Sequence, residues 1–334
     1  MNELVFFINK VVIAGSIISC IYALGAVGVT LVFGILRFAH FAHGDLMTFS
    51  AFFALLLTGT AAGIGSAVGL PSGFVALPIA MILTAALAIA VDRLFYKPLR
   101  DRDAKPLIIM VASIGVMLML QGLLRLVAGT SPRTFFTEEK KDIFRLDLPF
   151  SLADKQIIIT EPQVLLIISA LVAVSALHWY LTRTRMGKAM RAMSDNADLA
   201  LITGINTNSV VITTWIIAGA LAAAGGVLLA LDVTFKADLS FQLLIPTFAA
   251  AIVGGIGRPY GAVVGGFIVG FAESLAVFNW SIFLRPLAEY LPQAIELPTR
   301  LTLVPTEYKI VVPFVILVAV LIWRPTGVLR GRVL

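Results

Sequence analysis

The chain has 334 residues, 59% of them hydrophobic and only 13% charged, about half the charged share of a typical soluble domain. With a mean hydropathy of +0.99, there are too few polar residues to coat a compact body in water, which excludes a soluble enzyme. The single cysteine, Cys20, excludes an intrachain disulfide, and three histidines leave little for a metal centre. A net charge of +6 would suggest nucleic acid in a soluble protein, so the placement of the charges decides what they mean.

About 20 apolar residues are needed to cross the hydrocarbon. In chain order such runs are Val11 to Leu36, Leu46 to Leu70, Phe74 to Phe95, Leu107 to Ala128, Val164 to Leu181 and Val210 to Leu231. From Leu243 the apolar character continues to Phe278. Gly257-Arg258-Pro259-Tyr260-Gly261 divides it into a short element, Leu243 to Ile256, spanning or re-entrant, and a fuller one, Ala262 to Phe278. Ile310 to Trp323 closes the series, framed by Tyr308 and Trp323. These runs predict an all-α polytopic membrane protein of 8 to 9 spans, a single domain over residues 1–334. Met1 to Asn9 has no positive region, so no cleaved signal is expected. Ile17-Ile18-Ser19-Cys20 looks like a lipoprotein box, but the apolar run continues past Cys20 and argues for a packed cysteine.

Nine crossings with the N-terminus outside put fourteen basic residues and six acids on one side, and eleven basic residues and twelve acids on the other. The basic side is then cytoplasmic. Topology explains the basic pI, and no nucleic-acid partner is needed. Residues 129–162 form an exterior loop, where Ile143 to Leu148 and Gln156 to Thr160 fit a small β-hairpin. In a second exterior loop, 281–307, Pro286, Pro292, Pro298 and Pro305 limit helix to a short interfacial piece near Leu287 to Ile295.

Four polar or glycine-rich features stand out. Residues 182–207 are cytoplasmic and contain a short amphipathic helix, with Ser194 as its expected N-cap and Gly204 at its C-terminal end. The segment is either a solvated loop or a coupling helix that presents Met190, Met193, Leu199 and Ile202 to a partner. Gly254, Gly255, Gly257, Gly261, Gly265, Gly266 and Gly270 place small residues four apart, for close packing or for a broken helix beside a path. Arg37 to Asp45 joins two spans with almost no loop and reads as a packed re-entrant corner. Its His40 and His43 have only Asp45 as a third ligand, which argues against a metal. Glu273, at mid-span, is expected to face the interior, paired or wet, and His178 to anchor at the interface. No G-x-x-x-x-G-K-[ST] loop occurs, so ATP energy would have to come from another chain.

Ala23 to Gly34 followed by Phe41-Ala42-His43-Gly44-Asp45, then Gly187 to Asn206, then Ala251 to Gly266 together resemble the signatures of bacterial branched-chain amino acid ABC-transporter permeases of the H type. The family usually has Asn at the position of His40 and Glu at that of Asp45, and the 281–307 loop is longer than usual. The resemblance implies an inner-membrane permease, N-terminus periplasmic and C-terminus cytoplasmic, importing leucine, isoleucine, valine or a related small solute; some relatives carry urea or short amides. It also implies four partners besides the lipid bilayer: a second related permease, two cytoplasmic ATP-binding subunits and a periplasmic substrate-binding protein. ATP and magnesium would sit on those partners, with no cofactor and no catalytic or metal site in this chain. Coupling would fall on Gly187, Arg191, Asp195, Asp198 and Gly204, and packing or the transport path on His43, Gly44, Asp45, Gly257, Gly261, Gly265 and Glu273. Substrate-binding residues are left open. The competing class, a channel or ion-coupled transporter, would need several intramembrane carboxylates, and Glu273 is the one clear candidate.

Overall fold

The structure, a computed structural model, describes residues 2–136, 140–146, 156–284 and 301–329. Its long helices are α1 (Asn2–Leu36), α2 (His43–Val68), α3 (Leu77–Arg100), α4 (Pro106–Ala128) and α5 (Glu161–Arg183). After α5 come two short helices, α6 (Arg185–Asp195) and α7 (Ala197–Ile202), then α8 (Thr207–Asp232), α9 (Leu239–Gly254), α10 (Pro259–Val277) and α11 (Val311–Trp323). Seven of these are long and apolar enough to cross a membrane, while α9 and α11 are apolar but shorter. At about 1.5 Å per residue, the 16 residues of α9 reach roughly 24 Å.

The contacts made by α9 place its two ends against different neighbours. Its first residues meet the end of α8 at one end of the bundle, where Leu239 and Leu243 share a cavity with Asp232. Its last residues meet the start of α10, where Gly254 lies against Gly261. Gly257 in the following turn approaches Gly34, near the end of α1. So the end of α9 lies with the end of α1, while Ser240 near its start lies against Gly44 at the start of α2. The two ends are called here the basic end (Arg37, Arg191, Arg258) and the opposite end (Asp232, Lys309).

The core forms around α1 and α8, because these two helices carry small residues where neighbours approach. α8 is the most buried of the seven long helices. Gly219 lies against the backbone of Ala85 in α3 and Gly226 against the carbonyl of Met47 in α2. Along α1, Ala23 meets Gly266 and Ser19 meets Gly270, an antiparallel register with α10.

At the opposite end β1 (Ile143–Leu146) pairs antiparallel with β2 (Ile157–Thr160), in the register Ile143↔Thr160. The hairpin and the residues leading into it are tied to α1, α5 and α8. Asn9 Nδ2 donates to Gln156 O at 3.0 Å and Asn9 Oδ1 accepts from Ile158 N at 3.1 Å. Lys141 Nζ donates to Asp232 O at 2.8 Å, while Gln163 Oε1 caps Thr160 N and Gln163 Nε2 donates to Asp232 Oδ1 at 3.1 Å. Beyond α10, Val304 N donates to Ala276 O and Leu301 N to Asn279 Oδ1. Residues 301–304 are thereby fixed to the end of α10, which sets the position of Lys309. The interfacial helix expected at Leu287 to Ile295 lies outside the described residues, as do Arg330 and Arg332.

Candidate functional site

Two regions hold the residues singled out from the sequence. The first is the basic end. Thr184 is extended, and its Oγ1 accepts from Gly187 N at 2.9 Å, starting α6. A Cβ at Gly187 would overlap the backbone at Tyr180 and Leu181, so the glycine lets α6 fold back over the end of α5. Asn196 then breaks the helix, and its Oδ1 accepts from Asp198 N and Leu199 N, both at 3.0 Å, to start α7. The expected cap at Ser194 is therefore corrected. Ser194 sits in the last turn of α6, and its carbonyl accepts from the Arg37 guanidinium at the end of α1. Gly204 closes the element with φ +83°, as a glycine after a helix should.

The apolar face of this module is also corrected. Met190 and Met193 are buried against this chain, and Met190 shares a small cavity with Thr30, Gly34 and Leu181. Only the α7 residues remain outside: Leu199, Leu201 and Ile202 are exposed, the last at 78%. Arg191, Asp195 and Asp198 lie on the surface with them. The methionine stripe at helical spacing was legible, but only packing shows that it points inward.

Beside this module the glycine signature serves three purposes. Gly255 (φ +109°) and Gly257 (φ +84°) turn the chain between α9 and α10. Gly261 and Gly265 face α9, where a Cβ would overlap Gly254 O and Ala250 O. Gly266 and Gly270 face α1 instead. One packing face with Gly257 at its start is therefore replaced by a turn and two faces. Residues 328–329 brace the turn: Val328 N donates to Val253 O at 2.8 Å and Arg258 Nη1 to Leu329 O at 2.9 Å.

The second region is interior. Residues 37–42 form the corner the sequence predicts, with Phe38, His40, His43 and Asp45 all buried. Gly44 lies against Ser240 O of α9, where a Cβ would come to 2.8 Å. The His40 ring sits 4.9 Å from Trp215, 5.5 Å from Tyr96 and 5.9 Å from His43. Both nitrogens of each histidine, Trp215 Nε1, Tyr96 Oη and Asp45 Oδ2 find no hydrogen-bond partner among the described residues. Buried polar atoms at that density call for solvent or solute partners. Among the described residues no group of three His, Cys, Asp or Glu side chains could hold a metal.

Glu273 is buried, but not at mid-span: it lies one turn from the end of α10. Its Oε2 accepts from Tyr22 Oη at 2.7 Å and its Oε1 is 3.4 Å from Lys309 Nζ. The carboxylate borders a cavity of about 560 Å³ between α1, α8, α9, α10 and residues 306–310. Tyr22, Lys309, Gln163 and Asp232 escaped sequence reasoning because their partners are distant in the chain. The one usable signal was a lysine at the mouth of an apolar run. His178, read as an interfacial anchor, pairs with Tyr260 through Nδ1 and the hydroxyl at 2.8 Å.

Comparison with known proteins matches residues 11–321 to the family described as the permease component of branched-chain amino acid transport systems. The chain belongs to that family. The high-affinity branched-chain amino acid permease protein LivH of Salmonella typhimurium is 31% identical, and LivH of Escherichia coli K12 is 30% identical, each over 99% of this chain and 98% of its own. BraD of Pseudomonas aeruginosa is 28% identical over the same shares. A metal-chelate type ABC transporter in an inward-facing conformation aligns over 95% of this chain and 88% of its own, at 14% identity and a TM-score of 0.47. As a member of this permease family the chain is a multi-pass membrane transport component that works with ATP-binding partners.

Proposed function

We propose that this chain is the membrane-spanning permease subunit of an ATP-driven importer for leucine, isoleucine, valine or a closely related small solute. A second related permease completes the membrane pathway, two cytoplasmic subunits bind and hydrolyse magnesium-ATP, and a periplasmic binding protein delivers the substrate. The basic end is cytoplasmic and the opposite end periplasmic, in a bacterial inner membrane, because fourteen basic residues against six acids gather on one side. The observation that carries the reading is the α6–α7 module, which exposes Leu199, Leu201 and Ile202 at the basic end while its methionines lock it to α1 and α5. A partner closing on the exposed face would move a unit already fastened to the core helices, which is what biasing a two-state membrane domain requires.

The chain's own residues carry the mechanical steps. Arg37 ties Ser194 to the end of α1, and α1 packs along α10 through Gly266 and Gly270, so displacement of α6–α7 reaches the opposite end through backbone contact. The test is purification with the neighbouring transport subunits, then uptake into proteoliposomes. Co-purified ATPase subunits and ATP-dependent uptake of labelled leucine support the reading. Uptake of urea or acetamide in place of leucine would reassign the substrate, and uptake driven by an ion gradient without ATP would overturn the class.

A further inference from the structure

Resting on the proposed import of aliphatic amino acids, we infer that the cavity beside Glu273 is a binding site for the zwitterion, with Glu273 receiving the α-ammonium and Lys309 the α-carboxylate. Its volume of about 560 Å³ falls within the range of roughly 300–1,000 Å³ usual for small-ligand pockets. One wall is aliphatic, made by Ile17, Ile18 and Ile21 of α1, Leu229 of α8 and Leu243 of α9. The other is charged. Glu273 is 2% exposed; Tyr22 fixes Oε2, whereas Oε1 has no hydrogen bond and only a 3.4 Å approach from Lys309. An acceptor so buried and so incompletely used suits an incoming ammonium.

Lys309 supplies the complementary charge on a movable arm: its side chain is 51% exposed while that of Glu273 is 3% exposed. Swinging off Glu273, the ammonium of Lys309 meets a carboxylate at the mouth as the substrate's own ammonium takes its place on Oε1. The ion pair of the empty site is thus exchanged for two ion pairs with the zwitterion, and no charge is left buried alone. The other acids of the lining do not compete. Asp232 is held by Gln163 and by Lys141, and Glu307 lies exposed at the rim. An aliphatic wall facing a split ion pair selects a molecule with both charges at one end and a branched hydrocarbon at the other. An amine or acid lacking one charge would leave a partner unpaired.

The experiment uses the complete transporter, with Cys20→Ala and Gln242→Cys leaving this chain a single reporter thiol, at the cavity lining. Modification by a charged methanethiosulfonate is followed with L-leucine, 4-methylpentanoate or 3-methylbutylamine present. Leucine is expected to protect, and the analogues to need at least about tenfold higher concentration, since each lacks one charge-assisted contact. Glu273→Gln and Lys309→Met should each shift leucine protection by about tenfold or more and slow uptake at saturating loaded binding protein. Absence of protection, equal protection by the analogues, or normal protection in both variants, in a complex that imports leucine, overturns the site alone. Failure of the parent complex to import any aliphatic amino acid overturns the functional reading beneath it. If Glu273→Gln does not assemble, Lys309→Met decides, because that side chain is half exposed.

Discussion

The two ends of the bundle handle apolar and charged side chains in opposite ways. At the basic end α6 buries its methionines, and α7 leaves Leu199, Leu201 and Ile202 in the open. At the opposite end the charged Glu273 is the group that goes inside, paired with Tyr22 and Lys309. Exposed apolar residues on a capped surface module are suited to a protein partner. A buried carboxylate beside a cavity is suited to a small charged ligand. Burial run against residue type is therefore what marks function here, and the two ends do so in reverse.

The largest expected effect falls on the packing that joins the ends. Gly265→Leu would drive a side chain into Ala250 O and should abolish complex assembly while membrane insertion persists, because leucine is more apolar than glycine. Insertion by protease protection and assembly by size-exclusion chromatography check this together, and normal thermal stability would mean that α9 and α10 do not approach as described. Next, Met190→Ala should destabilise the complex by about 2–4 kcal/mol, whereas Ile202→Ala should leave stability within about 0.5 kcal/mol. Ile202→Ala should instead weaken ATPase co-purification, and the reverse pattern would undo the contrast between buried α6 and exposed α7.

Charge reversal sharpens the comparison at the same surface. Arg191→Glu or Asp195→Arg should reduce ATPase co-purification and uptake by at least about tenfold if the face docks, against almost nothing on a solvated loop. Unchanged values in both assays would return the segment to an ordinary connection. The smallest effect belongs to Asn196→Ala, which removes the cap of α7 and should lower stability by about 1 kcal/mol. Its check is a thermal melt beside Ser194→Ala, which should be nearly neutral; equal losses in the two would put the cap back at Ser194.

Hydrophobic runs alone placed the long helices, since each needs only its own composition to be stable in lipid. Local turn chemistry also placed the hairpin strands and the end of α7 at Gly204, and it found a break between α9 and α10 but set it at residues 257–261, whereas the turn lies at 255–258 and α10 already begins at Pro259. The same local logic misjudged Ser194, because Ser-Asp and Asn-Ala-Asp offer competing caps two residues apart and the fold-back at Gly187 decides between them.

What the sequence determined by itself was membrane residence, the order of the spans and the resemblance of its motifs to a permease family, because each depends on residues close together in the chain. What only the tertiary structure decided was direction. Met190 points into the protein and Ile202 away from it, Gly265 faces α9 while Gly266 faces α1, and Glu273 meets Lys309 across 35 intervening positions. A helix repeats every 3.6 residues whatever lies beside it, so its sequence reveals the faces but not their neighbours, which are settled when separate helices pack.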